Sequence, residues 1–310
     1  MNHIKRVAVI GECMVELRRN NGVLEQGFGG DTLNTAVYLS RLTHEHGVAS
    51  SYVTGLGRDA FSQQMLSAWQ VEALDTEHVF ISEDKLPGIY VIETAADGER
   101  SFFYWRNDSA AKYWLRGQEI PQLAHALRHH QMIYLSGISL AILPSDCCDA
   151  LLELLRLLRA QGATIAFDNN YRPALWPSQQ QAQSVYRQVL ALTDIAFLTF
   201  DDEQALYGDE TEQQAVDRTQ TLGVKEIVIK RGAEPCMVVT QVGIESIASQ
   251  PVEKIVDTTA AGDSFSAGYL AKRLLGGSTG ESALAGHTLA GAVIQQRGAL
   301  IGTDAMPTII

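Results

Sequence analysis

Asp257-Thr-Thr-Ala-Ala-Gly-Asp263-Ser-Phe-Ser-Ala-Gly-Tyr269 is the stretch that decides how this chain is read. Ile255 and Val256 end an extended apolar run, small residues follow from Thr259 to Gly262, and Asp263 opens an amphipathic stretch through Phe265, Tyr269, Leu270 and Leu274. The pattern predicts a strand, a tight turn and a helix whose first backbone N–H groups have no partner within the helix. Small side chains let an anion reach those groups, and the helix dipole favours negative charge there. Such a turn can hold a phosphoryl group while charge builds on it. A carboxylate at the same helix mouth is ordinarily only a cap. Beside a phosphate cradle it repels the ligand, so plain phosphate binding suits it poorly. Taking a proton from a hydroxyl that attacks the phosphate suits it well.

The rest of the chain is compatible with a globular enzyme. With 310 residues and 46% hydrophobic content, it can bury a substantial core as one large domain or a core with a small appendage. No apolar run approaches the roughly 18 residues needed to cross a bilayer. Val7–Ile10 is short and is followed by Gly11 and Glu12, so no signal-peptide layout is expected. Cys13, Cys147, Cys148 and Cys236 show no metal-ligand spacing, and reduced thiols in the cytoplasm are the expectation. The formal net charge of −12 argues against nucleic acid or an anionic membrane as partner.

Strand-like and helical segments alternate. Strands are expected at Arg6–Ile10, Ser51–Thr54, Met132–Ser136, Thr164–Asp168, Ile195–Thr199 and Glu226–Lys230, with helices at about 31–46, 59–72, 145–161, 178–191 and 212–222. That alternation implies a mostly parallel sheet covered by helices on both faces. Continuous apolar runs such as Ile195-Ala-Phe-Leu198 suit strands buried on both sides. Ligands of such sheets bind beyond the C-terminal strand ends, where Asp168, Thr199, Lys230 and the 257–263 turn should converge.

Two stretches break the alternation. Residues 88–106 read as two strands joined by the turn Ala96-Asp97-Gly98-Glu99, and residues 14–28 also look extended. Together they make a small β-sheet lid, which excludes water from the site beneath it. Strand alternation puts Tyr104 and Arg106 on one face. Arg172, in Asp168-Asn-Asn-Tyr-Arg172-Pro, follows a core strand. Two guanidinium groups suit a carboxylate-bearing ligand, which they match through paired hydrogen bonds, and exceed what a neutral polyol needs. For Arg106 the competing role is a surface lid residue, and for Arg172 a contact with nucleotide or phosphoryl group. In Phe28-Gly-Gly-Asp-Thr-Leu-Asn-Thr-Ala36, Asp31 and Asn34 can serve sugar hydroxyls, although the same residues also suit a helix cap.

Residues 257–263 resemble the signature Asp-Thr-x-Gly-Ala-Gly-Asp of the ribokinase-like (PfkB-type) carbohydrate kinases. Asp257, Thr258, Ala261, Gly262 and Asp263 match, and Ala260 departs from the usual glycine. A right-handed turn accepts that alanine at little cost. Phe28–Ala36 resembles the family's sugar-binding signature, and Gly55-Leu-Gly-Arg-Asp59 belongs to the same set. The chain has no Gly-x4-Gly-Lys-Ser/Thr loop. The resemblance implies one ribokinase-like α/β domain over residues 1–310, with a lid from about 12–30 and 79–108. It also implies Asp263 as catalytic base, with Ala260, Ala261 and Gly262 forming the anion hole.

Within that family the chain is similar to the bacterial 2-keto-3-deoxygluconate kinases, on Gly11-Glu-Cys-Met-Val-Glu16, Gly27–Asn34, Tyr104-Trp-Arg-Asn107, Asp168–Pro173 and Lys230-Arg-Gly232. This implies transfer of the ATP γ-phosphoryl group to the C6 hydroxyl of 2-dehydro-3-deoxy-D-gluconate. By family position Gly30, Asp31, Asn34, Tyr90, Tyr104, Arg106 and Arg172 line the sugar pocket. Asn170 and Arg172 approach the phosphates, while Lys230, Gly232 and His287 stand on the nucleotide side. Asp201-Asp202-Glu203 occupies the region of the family's Asn-x-x-Glu magnesium motif without its asparagine. Mg2+ is implied by the chemistry and is expected to ride on the phosphates. Asp257 is a candidate contact for a monovalent or divalent cation. Ile89, Val91 and Phe103 of the lid are expected to pair with a second subunit. A kinase for a neutral sugar such as fructose, and a non-catalytic sugar-acid sensor on the same scaffold, are the alternative readings.

Overall fold

Val7 and Val9 of the first strand belong to one buried apolar cluster and Ala8 and Ile10 to another. This is the signature of a strand with both faces covered. The computed structural model, which describes residues 1, 3–20, 22–94 and 100–310, repeats the split along the sheet. Met132 and Tyr134 go to the first cluster and Ile133 and Leu135 to the second. The proposed Ala96–Glu99 turn lies outside the described residues.

In the N-terminal part, β1 (Arg6–Ile10) leads through β2 (Met14–Asn20) and β3 (Val23–Gly29) to α1 (Asp31–Thr43). Then come β4 (Ala49–Leu56), α2 (Ala60–Val71), β5 (Leu74–Asp75), β6 (Val79–Ile81), β7 (Ile89–Thr94) and β8 (Arg100–Trp105). The middle holds α3 (Ile120–Ala126), β9 (Met132–Ser136), α4 (Gly137–Ala141), α5 (Ser145–Ala160), β10 (Thr164–Asp168) and α6 (Gln179–Leu190). Next are β11 (Ile195–Thr199), α7 (Phe200–Tyr207), α8 (Glu212–Thr221) and β12 (Glu226–Lys230). β13 (Cys236–Val239), β14 (Ile244–Ile247), α9 (Ala261–Leu274) and α10 (Thr279–Val293) complete the described helices and strands.

The large sheet runs β14-β13-β12-β11-β10-β9-β1-β4-β5, with β6 also on β4. It is parallel from β12 to β5. Parallel strands end on a common edge, and the register sets Asp168 opposite Ser136 and Lys230 opposite Thr199. The second, separate sheet, β3-β2-β7-β8, is built from the segments expected to form the lid. Residues 79–81 pair with β4 in the large sheet, so the second lid segment begins at β7 and not at residue 79.

The strand expected before the 257–263 turn is absent. Ile255 and Val256 are exposed and lie in an irregular segment after β14. Both edges of β12 are already paired, with β11 and with the antiparallel β13, so the sheet has no slot for them beside it. Instead the amides of Val256 and Asp257 both bond the carbonyl of Ile294, at 2.8 and 3.1 Å.

Helix α9 is held from behind by α10 through a glycine crossing. A Cβ on Gly268 would lie 2.9 Å from the Ala285 carbonyl oxygen, and one on Gly286 would lie 2.8 Å from that of Phe265. Those contacts are with backbone, which cannot swing aside. Gly286→Ala should therefore cost about 1–3 kcal/mol, read as a lower urea midpoint at unchanged m.

Candidate active site

Five of the ten described α-helices carry a side-chain cap or capping box, and α9 is not among them. Asp59 accepts from the amides of Phe61 and Ser62 at the start of α2, and Ser278 with Glu281 forms a capping box on α10. At α9 no side chain caps the first turn. Its first i to i−4 bond runs from Ser264 to the Ala260 carbonyl at 2.9 Å, while the Ala261 amide turns to Thr258 at 3.2 Å. The amides of Gly262 and Asp263 are left without an intrahelical acceptor. The Asp257 carboxylate braces this turn, accepting from Thr259 at 2.8 Å and from Gly298 at 2.9 Å.

The N-cap is Ala260, and its backbone is left-handed at φ 60°. The expectation of a right-handed, low-cost alanine is thus corrected. A left-handed residue followed by helical ones turns successive N–H groups toward a common point, the geometry of an anion nest. A Cβ in that conformation costs roughly 1–2 kcal/mol. Asp263, in turn, is the third residue of the helix and not its cap.

Asp263 faces the C-terminal edge of the sheet. Its Oδ2 accepts from Asn34 Nδ2 at 2.9 Å, and its carbonyl accepts from Thr35 Oγ1 at 3.3 Å. Burial raises its pKa to about 8; the charges of Asp31 and Asp168 add to the rise, while the Asn34 hydrogen bond and Lys230 oppose it. Lys230 Nζ bonds Asp168 Oδ2 at 2.7 Å. The same ammonium lies 3.4 Å from where a Cβ on Gly262 would stand. Asp31 Oδ2 accepts from Asn170 Nδ2 at 2.7 Å, and Asn170 is itself held at φ 30°. Its amide bonds Asn169 Oδ1 at 2.7 Å, and Asn169 Nδ2 bonds Glu203 at 2.8 Å.

On the lid side the ring centroids of Tyr90 and Tyr104 are 5.8 Å apart. The Tyr90 hydroxyl donates to Glu16. Arg106 pairs with the buried Glu12, which also accepts from Ser109. Burial raises the Tyr104 pKa, and the charges of both Arg106 and Arg172 oppose that rise; the Arg106 guanidinium lies over the Tyr104 ring, 5.9 Å from its centroid. Arg172 is half exposed and sits 3.3 Å from Asp202. Gly30 passes so close to the chain after β1 that a Cβ on it would be 2.2 Å from the Glu12 carbonyl oxygen.

The structure thus gathers Asp31, Asn34, Asn170, Lys230, Asp263 and the turn, with Tyr90, Tyr104 and Arg106 on the lid. Gly232 lies just beyond β12 in a left-handed turn. His287 is neither exposed nor a free helix residue. Its Nε2 is 3.0 Å from the Ile247 carbonyl and its ring meets Phe265 edge-on. Two carboxylates of the acidic cluster are engaged internally, Asp202 by the Tyr171 amide and Arg172, Glu203 by Asn169 and Arg218. Sequence reasoning gave no role to Glu12, Glu16, Asn169 or Ser266. The partners of Glu12, Glu16 and Ser266 lie 74 to 98 positions away, so no pattern local to those residues marks the contact.

An α/β sheet with a β lid, an open helix N-terminus and a buried carboxylate beside it defines a sugar-kinase type of protein. The pfkB family carbohydrate kinase model matches residues 4–306, and the chain belongs to that family. It is 52% identical over 306 residues to the 2-dehydro-3-deoxygluconokinase of Escherichia coli K12, covering 98% of this chain and 99% of that one. The same-named protein of Dickeya dadantii is 51% identical over 307 residues, 98% and 99% of the two chains. Among solved structures, the fructokinase of Xylella fastidiosa with bound ATP shares the fold at TM-score 0.83 and 21% identity, over 98% of this chain and 95% of that one.

Replacing Ala260 by glycine removes the left-handed strain without touching an N–H group. The variant should gain about 0.5–1 kcal/mol of stability, seen as a higher thermal midpoint with turnover close to wild type.

Proposed function

We propose that this kinase transfers the γ-phosphoryl group of ATP to the C6 hydroxyl of 2-dehydro-3-deoxy-D-gluconate, with Asp263 as the base. One observation carries the mechanism. A buried carboxylate, its pKa raised to about 8, stands in the first turn of a helix that no side chain caps. The choice of substrate is supported by the relatives that share about half of this sequence.

The sugar acid lies under the lid, its hydroxyls on Asp31 and Asn34 beside Gly30, its ring against Tyr90 and Tyr104. Its carboxylate is met by Arg106 and Arg172, whose forks match two oxygens at once. The C6 oxygen attacks the γ-phosphorus, its proton passes to Asp263, and the bond to the β,γ-bridging oxygen breaks to release ADP. Of the expected anion-hole run Ala260 to Asp263, the amides of Gly262 and Asp263, with Lys230 behind them, stabilise charge on the equatorial oxygens, the Ala261 amide being taken by Thr258. Mg2+ bound to the nucleotide neutralises charge on the phosphates. Asn170 and Arg172 border the phosphates, and Gly232 and His287 lie on the nucleotide side. In the same reading Asp257 is the residue that would hold a monovalent cation, which would supply positive charge to the turn.

The four thiols are unpaired and buried, which supports a reducing, cytoplasmic setting. No described helix is long and apolar enough to cross a membrane. For self-association through the lid we select Phe103 and Trp105, both exposed on the edge strand β8. Ile89 instead packs on the core.

A coupled ADP-release assay should show strong preference for 2-dehydro-3-deoxy-D-gluconate over fructose and ribose. Equal rates with fructose would discard the substrate while keeping the kinase. Asp263→Asn should leave sugar binding largely intact and lower turnover by about 10²–10⁴; turnover near wild type would discard the base.

The same carboxylate links to stability. Its folded pKa lies above the ordinary aspartate value, so its contribution is present at acid pH and lost as pH rises through about 8. Asp263→Asn should therefore melt like wild type near pH 4 and progressively above it toward pH 8.5.

A further inference from the structure

We propose that Asp168, acting through Lys230, is a positioning residue for the transfer: it holds the ammonium at the anion turn and governs when Asp263 gives up its proton. This rests on the reading of Asp263 as base and goes beyond it.

Asp168 closes β10 and is 3% exposed. Three separate elements aim donors at its Oδ2: Lys230 Nζ from β12 at 2.7 Å, Ser266 Oγ from α9 at 2.9 Å and the Tyr134 hydroxyl from β9 at 3.4 Å. Its Oδ1 is buried with no hydrogen-bond partner. Three donors on one oxygen fix the carboxylate in place, and its position fixes where the ammonium stands. Lys230 carries three donors and lies against Gly262, between Asp168 and the place where an anion would sit. Ser266 lies one helical turn beyond Asp263 on α9, so the same carboxylate also anchors the helix that presents the base.

The groups facing Asp263 are Asp31, Asn34, Thr35 and Tyr38 from α1, Tyr134 from β9, Asp168 from β10 and Lys230 from β12. Asp31 is occupied by Asn170. Of these charges, Asp168 and Lys230 are bonded to each other and act on Asp263 with opposite sign. Removing either should therefore move the base in opposite directions, which a merely structural pair would not do.

The test is the pH profile of kcat/KM for the sugar acid in wild type, Asp168→Asn, Lys230→Met and Lys230→Arg. Losing the negative charge should move the acid limb down by about one pH unit, and losing the positive charge should move it up by about as much. Lys230→Arg should restore the wild-type position. Unmoved limbs, or limbs moving the same way, would overturn the inference. Should a single variant unfold for want of its buried partner, the Asp168→Asn/Lys230→Met double variant replaces an ion pair by a neutral pair. Its limb should return close to wild type, and a limb displaced by a unit or more overturns the inference. Asp263→Asn, run alongside, separates the two claims. Retained turnover there removes the base itself, whereas an inactive Asp263→Asn with unmoved limbs removes only the role given to Asp168 and Lys230.

Discussion

Asp31, Asp168 and Asp263 share one buried region with the ammonium of Lys230, and the folded chain must satisfy all four groups at once. Three carboxylates so placed cannot all be ionised cheaply. Asp31 takes the amide of Asn170, Asp168 takes Lys230, Ser266 and Tyr134, and Asp263 takes Asn34 and retains its proton to about pH 8. Each solution draws in a different element, so α1, α9, β9, β10 and β12 must meet at one edge. The arrangement that makes Asp263 reluctant to ionise is the one that binds the edge together.

The parallel sheet supplies that meeting place because its strands end together, and the lid is tied to the same edge by Glu12. This carboxylate follows β1 directly, just before the chain enters lid strand β2. It grips Arg106 at the far end of β8, and its carbonyl sets the closeness with which Gly30 enters α1. One buried residue thus connects the core sheet, both ends of the small sheet and the start of α1. Arg106 is consequently presented already ordered, with less side-chain entropy to lose when a carboxylate arrives.

Much of this was legible in the residues, and the rest was hidden for identifiable reasons. Strands β1, β9, β10, β11 and β12 have the bounds that their apolar runs indicate, because burial on both faces leaves no ambiguity in such runs. The open turn and Asp263 were legible because they are local in sequence. Ile255 and Val256 misled because an apolar pair says nothing about whether a sheet edge is free, and β13 had taken it. The left-handed Ala260 was missed because an alanine carries no mark of positive φ. Asp168 stood out only as a strand end, since its partners come from residues 34 to 98 positions away.

The departure at Ala260 places one of the chain's few left-handed non-glycine residues at the turn. Capping side chains steady α2 and α10, yet a cap on α9 would occupy the amides that an anion must reach. Stabilisation of that turn therefore has to come from outside its concave side. Asp257 braces it with bonds to Thr259 and Gly298, and α10 presses on α9 across Gly268 and Gly286. With the brace behind and the opening in front, one unfavourable backbone residue is tolerated without closing the turn. Local rules are broken at the site because its exposed N–H groups must remain unspent until a ligand takes them.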